Sequence, residues 1–300
     1  MSEWWHKREM ILPDDENAKP GNILVTPMSF ADCAIAMTDG NFYRDLEKKN
    51  PNFNFKFVEE CPVCGHESVF FPPSVSCIDK MTGLDASRPR KVSSNVKHWS
   101  LFPEADFIVE CRDCRSIYCA KLPSDDLLEF LYTYFYKSQD MGIDRFKIKF
   151  KKFSTDSWLE GLTLEFGGGS GSLKSICEKY FNIDYNPAAD IQGDIQNLST
   201  AQIEEMRSLL PNRVVCCDLI EHIKRPQKIF EVASKVLEKG KLLFLNVGQM
   251  HELDTIDIVT QPPHLISFSP KAVEIMSSRN RFKMVWKSEN ELGNYVFEKE

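Results

Sequence analysis

From residue 161 onward, short apolar runs alternate with stretches whose apolar residues recur every three or four positions. Residues 162–166 alternate as a strand, and 172–180 carry the spacing of a helix. A second strand is predicted at 181–184 and a third at 189–194. A helix capped by Thr200 is predicted over 200–210, followed by a strand at 213–217, a helix at 226–237 and a strand at 241–247. A helix at 270–278 and strands at 282–286 and 294–297 complete the pattern. Strands that alternate with helices of about ten residues imply a parallel sheet covered on both faces. The final two strands, joined by a short polar loop, imply an antiparallel hairpin at one edge. The expected fold class is therefore α/β: a Rossmann-like doubly wound sheet of seven strands with the last hairpin antiparallel.

The region before residue 161 has a different texture. Residues 1–55 are irregular, with turn residues in Pro13-Asp14-Asp15 and Lys19-Pro20-Gly21-Asn22, one strand at 23–25 and a short helical pattern near 41–48. No function is assigned to this extension. Residues 56–123 are short-stranded and rich in Cys, Pro and Ser. Ser124 is placed as the N-cap of a helix over 125–136, with Asp125 and Asp126 in its first turn. The organisation read from the pattern is an extension (1–55), a small module (56–123), a helical linker (124–160) and the α/β domain (161–300).

Composition narrows the function classes. Hydrophobic residues at 42% and charged residues at 27% are those of an ordinary globular protein. A net charge of -7 and a pI near 5.5 argue against a nucleic-acid partner, since phosphate recognition uses a basic surface. The basic run Arg145–Lys152 reads as a solvated helix face, with a local basic patch as the alternative. The start of the chain lacks the charged and apolar pattern of an export signal, and the apolar run at 242–245 is far too short to cross a bilayer. The expectation is a cytoplasmic protein without membrane insertion, whose ten cysteines are thiols or metal ligands. No feature of the pattern specifies an oligomeric state.

Four of those cysteines form two knuckles, Cys61-Pro62-Val63-Cys64-Gly65 and Cys111-Arg112-Asp113-Cys114. Four thiolates in this spacing suit tetrahedral structural zinc, with residues 65–110 as an excursion between the pairs. A thioredoxin pattern, which the redox alternative needs, is missing. Cys77 and Cys119 stand near enough in sequence to replace one of the four. Cys33, Cys177, Cys216 and Cys217 read as small buried residues.

A second chemistry-bearing segment begins at Glu165. Gly167, Gly169 and Gly171 follow at the junction between a predicted strand and helix, where glycine permits a sharp turn and close approach of a ligand. A dinucleotide loop needs Gly-x-Gly-x-x-Gly, and its last position here is Ser172. Asp184, at the end of the second strand, can accept both hydroxyls of a ribose. Asp194, at the end of the third, can accept from an adenine amino group. The alternative is a tight turn without a ligand. Asp218, Glu221 and His222 follow the fourth strand, at the sheet edge where open α/β folds place their sites. On a helical turn they would share a face, able to hold a divalent metal or to supply a base. The third option is a purely structural loop. His264 is a second candidate base, or else a loop histidine.

The spacing Glu165-x-Gly167-x-Gly169-x-Gly171 resembles motif I of the class I S-adenosylmethionine-dependent methyltransferases. The resemblance extends over residues 161–300. Val214–Pro226, with Leu219-Ile220-Glu221-His222-Ile223, is similar to that family's strand-four segment. Lys235–Gly240 resembles its approach to strand five, His264–Lys271 its His-x-x-x-Phe-Ser segment, and Arg281-Phe282 stands where Gly-Phe is common. The usual Gly before the strand-two acid is Asn182 here, and Gly-Cys-Gly of motif I is Gly167-Gly168-Gly169. The resemblance implies that Glu165, Gly167, Gly169, Gly171, Asp184, Asp194 and Asp218 bind S-adenosylmethionine, and that Glu221, His222 or His264 serves catalysis. The Asp218/Glu221/His222 set is similar to a carboxylate/carboxylate/His arrangement of ubiquinone-pathway O-methyltransferases, which implies a possible second metal there.

A zinc ribbon before such a domain resembles a bacterial family of sugar and surface-polysaccharide methyltransferases. In that family the second knuckle leads to an apolar strand, Pro-Ser/Thr and a Tyr-rich helix. Here the run is Cys111–Ser124 and then Tyr132–Tyr136, with Arg115-Ser116 in place of Gly-Leu. The reading implied is O- or C-methylation of a small molecule or nucleotide-linked sugar. Two alternatives stand beside it. One is an RNA or protein methyltransferase using the zinc module for recognition, disfavoured by acidic pI and by the missing Asn/Asp-Pro-Pro-Tyr/Phe segment. The other is a non-catalytic cofactor-binding module.

Overall fold

The computed structural model describes residues 55–58, 60–66, 108–111, 113–119, 121–128, 160–171, 173–248, 265–288 and 293–300. The expectations for residues 1–54, the basic run at 145–152, Cys33, Cys77 and His264 lie outside them, as does the linker helix beyond residue 128.

Among the described residues, four short strands precede the α/β domain: β1 (Phe55–Phe57), β2 (Ile108–Glu110), β3 (Ile117–Cys119) and β4 (Lys121–Pro123). Ser124 does cap the next turn, its Oγ accepting from Leu127 N at 3.3 Å. The domain itself runs β5 (Leu162–Phe166), β6 (Lys179–Asp184), β7 (Ile191–Gln192), α1 (Thr200–Ser208), β8 (Arg213–Cys217), α2 (Gln227–Val236), β9 (Leu242–Asn246), β10 (Ile266–Ser267), α3 (Pro270–Arg279), β11 (Phe282–Lys287) and β12 (Asn294–Lys299).

Seven of these strands form one sheet in the order β11-β12-β9-β8-β5-β6-β7. β5 to β9 are parallel, while β12 runs antiparallel to both β9 and β11. This is the expected Rossmann-like architecture with its antiparallel closing pair. The chain steps outward from β5 through β6 to β7, then returns to place β8 on the other flank of β5. That reversal creates a crevice outside the carboxyl ends of β5 and β8, where open α/β sheets bind ligands.

Alternation along the strands divides the core between two faces. Leu164, Phe166, Val214, Cys216, Leu243 and Leu245 pack with α2 and α3, where Phe230 meets Phe297 edge-on at 5.5 Å. Burying Ile229 and Phe230 of α2 contributes about 1.5–3 kcal/mol each. On the opposite face Val215, Phe244 and Val296 gather around Leu173.

Two local expectations are corrected. The predicted helix at 172–180 is instead a chain of turns, with Lys174 N bonding Gly171 O and Ile176 N bonding Leu173 O. Lys179 and Tyr180 already belong to β6, so too few residues remain after the glycines for a regular helix. The cap of α1 is Ser199, not Thr200. Ser199 and Gln202 form a reciprocal capping box, and Thr200 is the first helical residue. No helix among the described residues is long and apolar enough to cross a membrane.

Candidate functional site

The loop after β5 is built by glycines in the left-handed region: Gly167 at φ 74°, Gly169 at 58° and Gly171 at 101°. Gly167 N bonds Ile183 O at 2.9 Å, which ties the loop to β6. A Cβ on Gly167 would stand 2.9 Å from Leu219 of the β8 loop. Close contact between the two loops that flank the crevice therefore requires glycine here.

Each carboxylate assigned to this side lies at the loop or at an adjoining strand end, and each is engaged by the chain itself. Asp184 Oδ2 accepts from Gly169 N at 2.9 Å and Oδ1 from Asn186 N at 2.8 Å. Each oxygen keeps acceptor capacity for a further donor. Glu165 is buried and accepts from the Tyr180 hydroxyl at 2.5 Å. Burial first, then the charge of Glu165, holds the Tyr180 hydroxyl protonated well above its ordinary range. A Cβ on Gly168 would meet both Glu165 Oε2 and Tyr180 Oη at 2.7 Å. Asn182 donates to Gly169 O at 3.2 Å and exchanges bonds with Asp190. This side chain thus fastens the loop from below.

Asp194 caps the 3₁₀ turn Ile195–Asn197, accepting from Gln196 N and Asn197 Nδ2 at 2.9 Å each. Gln196 Oε1 in turn accepts from Arg225 N at 2.8 Å. Arg225 Nη2 reaches Asn197 Oδ1 at 2.6 Å, so the β7 end is joined to the segment after β8.

On the β8 side, Asp218 takes φ 47° and is followed by a 3₁₀ turn, Ile220–His222. The three candidates therefore do not share a regular helical face. Glu221 and His222 are 1% and 7% exposed, and His222 Nε2 lies 3.9 Å from Glu221 Oε1, beyond hydrogen-bond range. A Cβ on Gly248, just past β9, would lie 2.1 Å from Glu221 Oε1 and 2.8 Å from Asp218 Oδ1. Two carboxylates thus converge where Gly248 leaves room. Among the described residues, Asp218, Glu221 and His222 do not form a metal-ligand set. Among the described residues, only Cys61, Cys64, Cys111 and Cys114 bring three or more potential ligands together.

The four cysteine sulfurs lie within 4.8 Å of one another and are buried. Cys61 Sγ and Cys114 Sγ are 3.6 Å apart, and Cys64 Sγ and Cys111 Sγ 3.5 Å. Zinc at 2.3 Å from four tetrahedral sulfurs demands edges of about 3.8 Å. The donor set fits. The two knuckles have the same backbone: Gly65 N bonds Cys61 O and Arg115 N bonds Cys111 O, both at 2.8 Å. Arg115 takes φ 63° where the first knuckle has Gly65 at 70°. Hydrogen bonds from the Cys61 thiol and from Ser116 pull the Cys114 thiol down, whereas its bond to Cys114 and burial push Cys61 up.

The candidates therefore fall into three groups. Glu165, Gly167, Gly169, Gly171 and Asp184 assemble around one loop. Asp218, Glu221 and His222 follow β8, with Leu219 packed on that loop, while Asp194 stands at the end of β7. Tyr180, Gln196, Arg225 and Gly248 were missed by sequence reading. Only Gly248 carried a signal, a glycine directly after a predicted strand at the same edge.

No protein-family model matches the chain, and no curated protein matches it either. Solved structures do. A S-adenosylmethionine-dependent methyltransferase from Archaeoglobus fulgidus is 15% identical, over 54% of this chain and 80% of that one, with a TM-score of 0.38. The N-methyltransferase NodS from Bradyrhizobium japonicum, in complex with S-adenosyl-L-homocysteine, is 13% identical over 55% and 91%, at 0.39. A S-adenosylmethionine-dependent methyltransferase from Clostridium acetobutylicum is 11% identical over 56% and 96%, at 0.37. At these values the fold assignment rests on strand order and register rather than on the likenesses.

Proposed function

We propose that the chain is a class I methyltransferase that binds S-adenosylmethionine at the β5 loop and methylates a small-molecule acceptor. A nucleotide-linked sugar or polysaccharide precursor is the acceptor class favoured by the resemblance of the zinc module. The observation that carries the reading is Asp184 Oδ2 bonded to Gly169 N. It joins a glycine turn and a strand-two acid at the switch point of the sheet. Cβ-free backbone and a carboxylate with spare acceptor capacity fit a ribose-bearing cofactor.

When bound, S-adenosylmethionine supplies a methyl group already activated by the sulfonium. Alignment is then the main demand on the protein. Gly167, Gly169 and Gly171 would allow close approach of the cofactor to the backbone, Asp184 would accept from ribose hydroxyls, and Asp194 would accept from the adenine amino group. Buried Glu165 supplies negative charge near the cationic end of the site. Glu221 and His222 follow β8, on the far flank of the crevice from Asp184. His222 takes the proton of an oxygen nucleophile in this reading, and His264 is the second candidate. Structural zinc belongs to Cys61, Cys64, Cys111 and Cys114, and a closed four-sulfur site leaves it no catalytic position.

Calorimetry with S-adenosylmethionine and its demethylated product tests the site. Gly169→Arg should weaken binding by tenfold or more, about 1.4 kcal/mol. Wild-type affinity in that variant would remove the loop from the site. Cofactor binding with no methyl transfer to any acceptor would favour a non-catalytic module instead.

A further inference from the structure

The cysteine module is joined to the α/β domain at several separate points. β10 pairs antiparallel with β3, Ile266 opposite Tyr118 and Ser267 opposite Ile117. Tyr118, Leu122, Leu265, Ile266 and Phe268 are buried in one core with the four cysteines. Lys224, two residues after His222, donates to Pro123 O at 3.1 Å and forms an ion pair with Asp125.

Helix α3 makes the most specific connection, because its two ends hold the two knuckles. At its start Ser269 Oγ, which caps the helix by accepting from Ala272 N, donates to Cys114 O at 2.5 Å. In its last turn Arg279 Nη1 donates to Cys64 O at 2.6 Å. Each acceptor is the carbonyl of the second cysteine of a knuckle. The segment that enters α3 also reaches the candidate site: Leu265 N donates to Glu221 O at 2.8 Å. A continuous path thus runs from the sulfur cluster through Cys114 and Ser269 to β10, and from Leu265 to the Ile220–His222 turn.

We propose that Ser269 and Arg279 are positioning residues through which metal in the four-cysteine centre fixes β10 and the Glu221–His222 turn. The β5 loop touches Leu219 but has its own hydrogen-bonded supports in Asp184, Asn182 and Tyr180. This rests on the zinc assignment above. Metal loss therefore loosens the acceptor flank of the crevice and leaves the cofactor flank intact. The module is a metal-dependent brace for half of the site.

Hydrogen exchange on the full chain, before and after zinc removal by a chelator, tests this. Exchange should rise at least tenfold at Leu265, Ile266 and Tyr118 and at His222, and change less than twofold at Leu164, Gly169 and Val215. Zinc content measured on the same samples separates the two layers of the claim. One zinc per chain with unchanged exchange on its removal overturns the brace and spares the zinc assignment. No zinc in the untreated chain, with all four thiols open to alkylation, overturns both. Arg279→Leu should keep one zinc per chain but lose it to chelator at least tenfold faster. Arg279→Lys, which retains a donor, should stay within about threefold of wild type. Equal loss rates in the two variants would remove Arg279 from the path.

Discussion

The two flanks of the crevice are built by opposite means. On the β5–β6–β7 flank, loop and carboxylates come from residues 165–194, one short stretch of chain. Asp184 reaches Gly169 across 15 positions, and Tyr180 reaches Glu165 across the same separation. On the β8–β9 flank, the Glu221–His222 turn is held by Leu265, and Ser269 beside β10 is held by Cys114 across 155 positions. Local assembly gives a site that is set once two strands pair. Distant assembly adds a dependence on whatever holds the distant parts, here the cysteine cluster. The difference is what the proposal rests on: in that reading a cofactor flank independent of metal stands beside an acceptor flank braced by it.

The largest effect expected from breaking this contrast comes from the cysteines. Replacing Cys61 and Cys64 together by Ser should abolish zinc binding, worth on the order of 10 kcal/mol in small zinc modules. Limited proteolysis should then open residues 56–123 first, with β5 and β6 still protected. Zinc retained in the double variant would contradict this. Next in size is Asp184→Ala, which removes two backbone hydrogen bonds to a charged acceptor, each worth about 1.5–3 kcal/mol. Cofactor affinity should fall at least tenfold by calorimetry while zinc content stays constant. A loss of zinc would show that the flanks are not separate.

Gly248→Ala probes the other flank without touching a ligand. Its Cβ would lie 2.1 Å from Glu221 Oε1, so that buried carboxylate must move, at a cost of about 1–3 kcal/mol in thermal unfolding. Cofactor affinity should remain within threefold, and an unchanged melting temperature would show that the carboxylates do not crowd Gly248. The smallest change sharpens the picture of the knuckles. Arg115→Gly puts glycine at a left-handed φ of 63° and should stabilise the module by about 0.5–1 kcal/mol. Chemical denaturation reads the difference, and a destabilised variant would mean that the Arg115 side chain contributes more than its backbone strain costs.

Much of the sheet was legible in the sequence, because its strands are short runs in which apolar residues recur at least at every second position. Arg213–Cys217 and Leu162–Phe166 have the bounds that their pattern predicted. Periodicity misled at 172–180, where Leu173 and Ile176 carry helical spacing but the pairing of β6 begins at Lys179. The cap of α1 moved by one residue because Ser199 and Thr200 are both capping types, and only Ser199 has Gln202 three residues on. Arg281 shows what a departure from a family pattern can hide. It takes φ 59°, the conformation for which the family's glycine is suited. Glu165, Asp184 and the cysteines were readable as candidate residues because the chemistry proposed for them depends on spacing. Their partners were not. Tyr180, Gln196 and Arg225 act through tertiary contacts that no local pattern records, and the link from Cys114 to Ser269 exists only once the fold is formed.

The claim on which the account depends is that the β5 loop is the cofactor site. Hydrogen exchange with and without S-adenosyl-L-homocysteine tests it most directly. Slowed exchange at Gly167–Gly171, at Ile183–Asp184 and at Ile195–Asn197, by tenfold or more at saturation, is the predicted result. Binding accompanied by protection elsewhere, with these three segments unchanged, would contradict it.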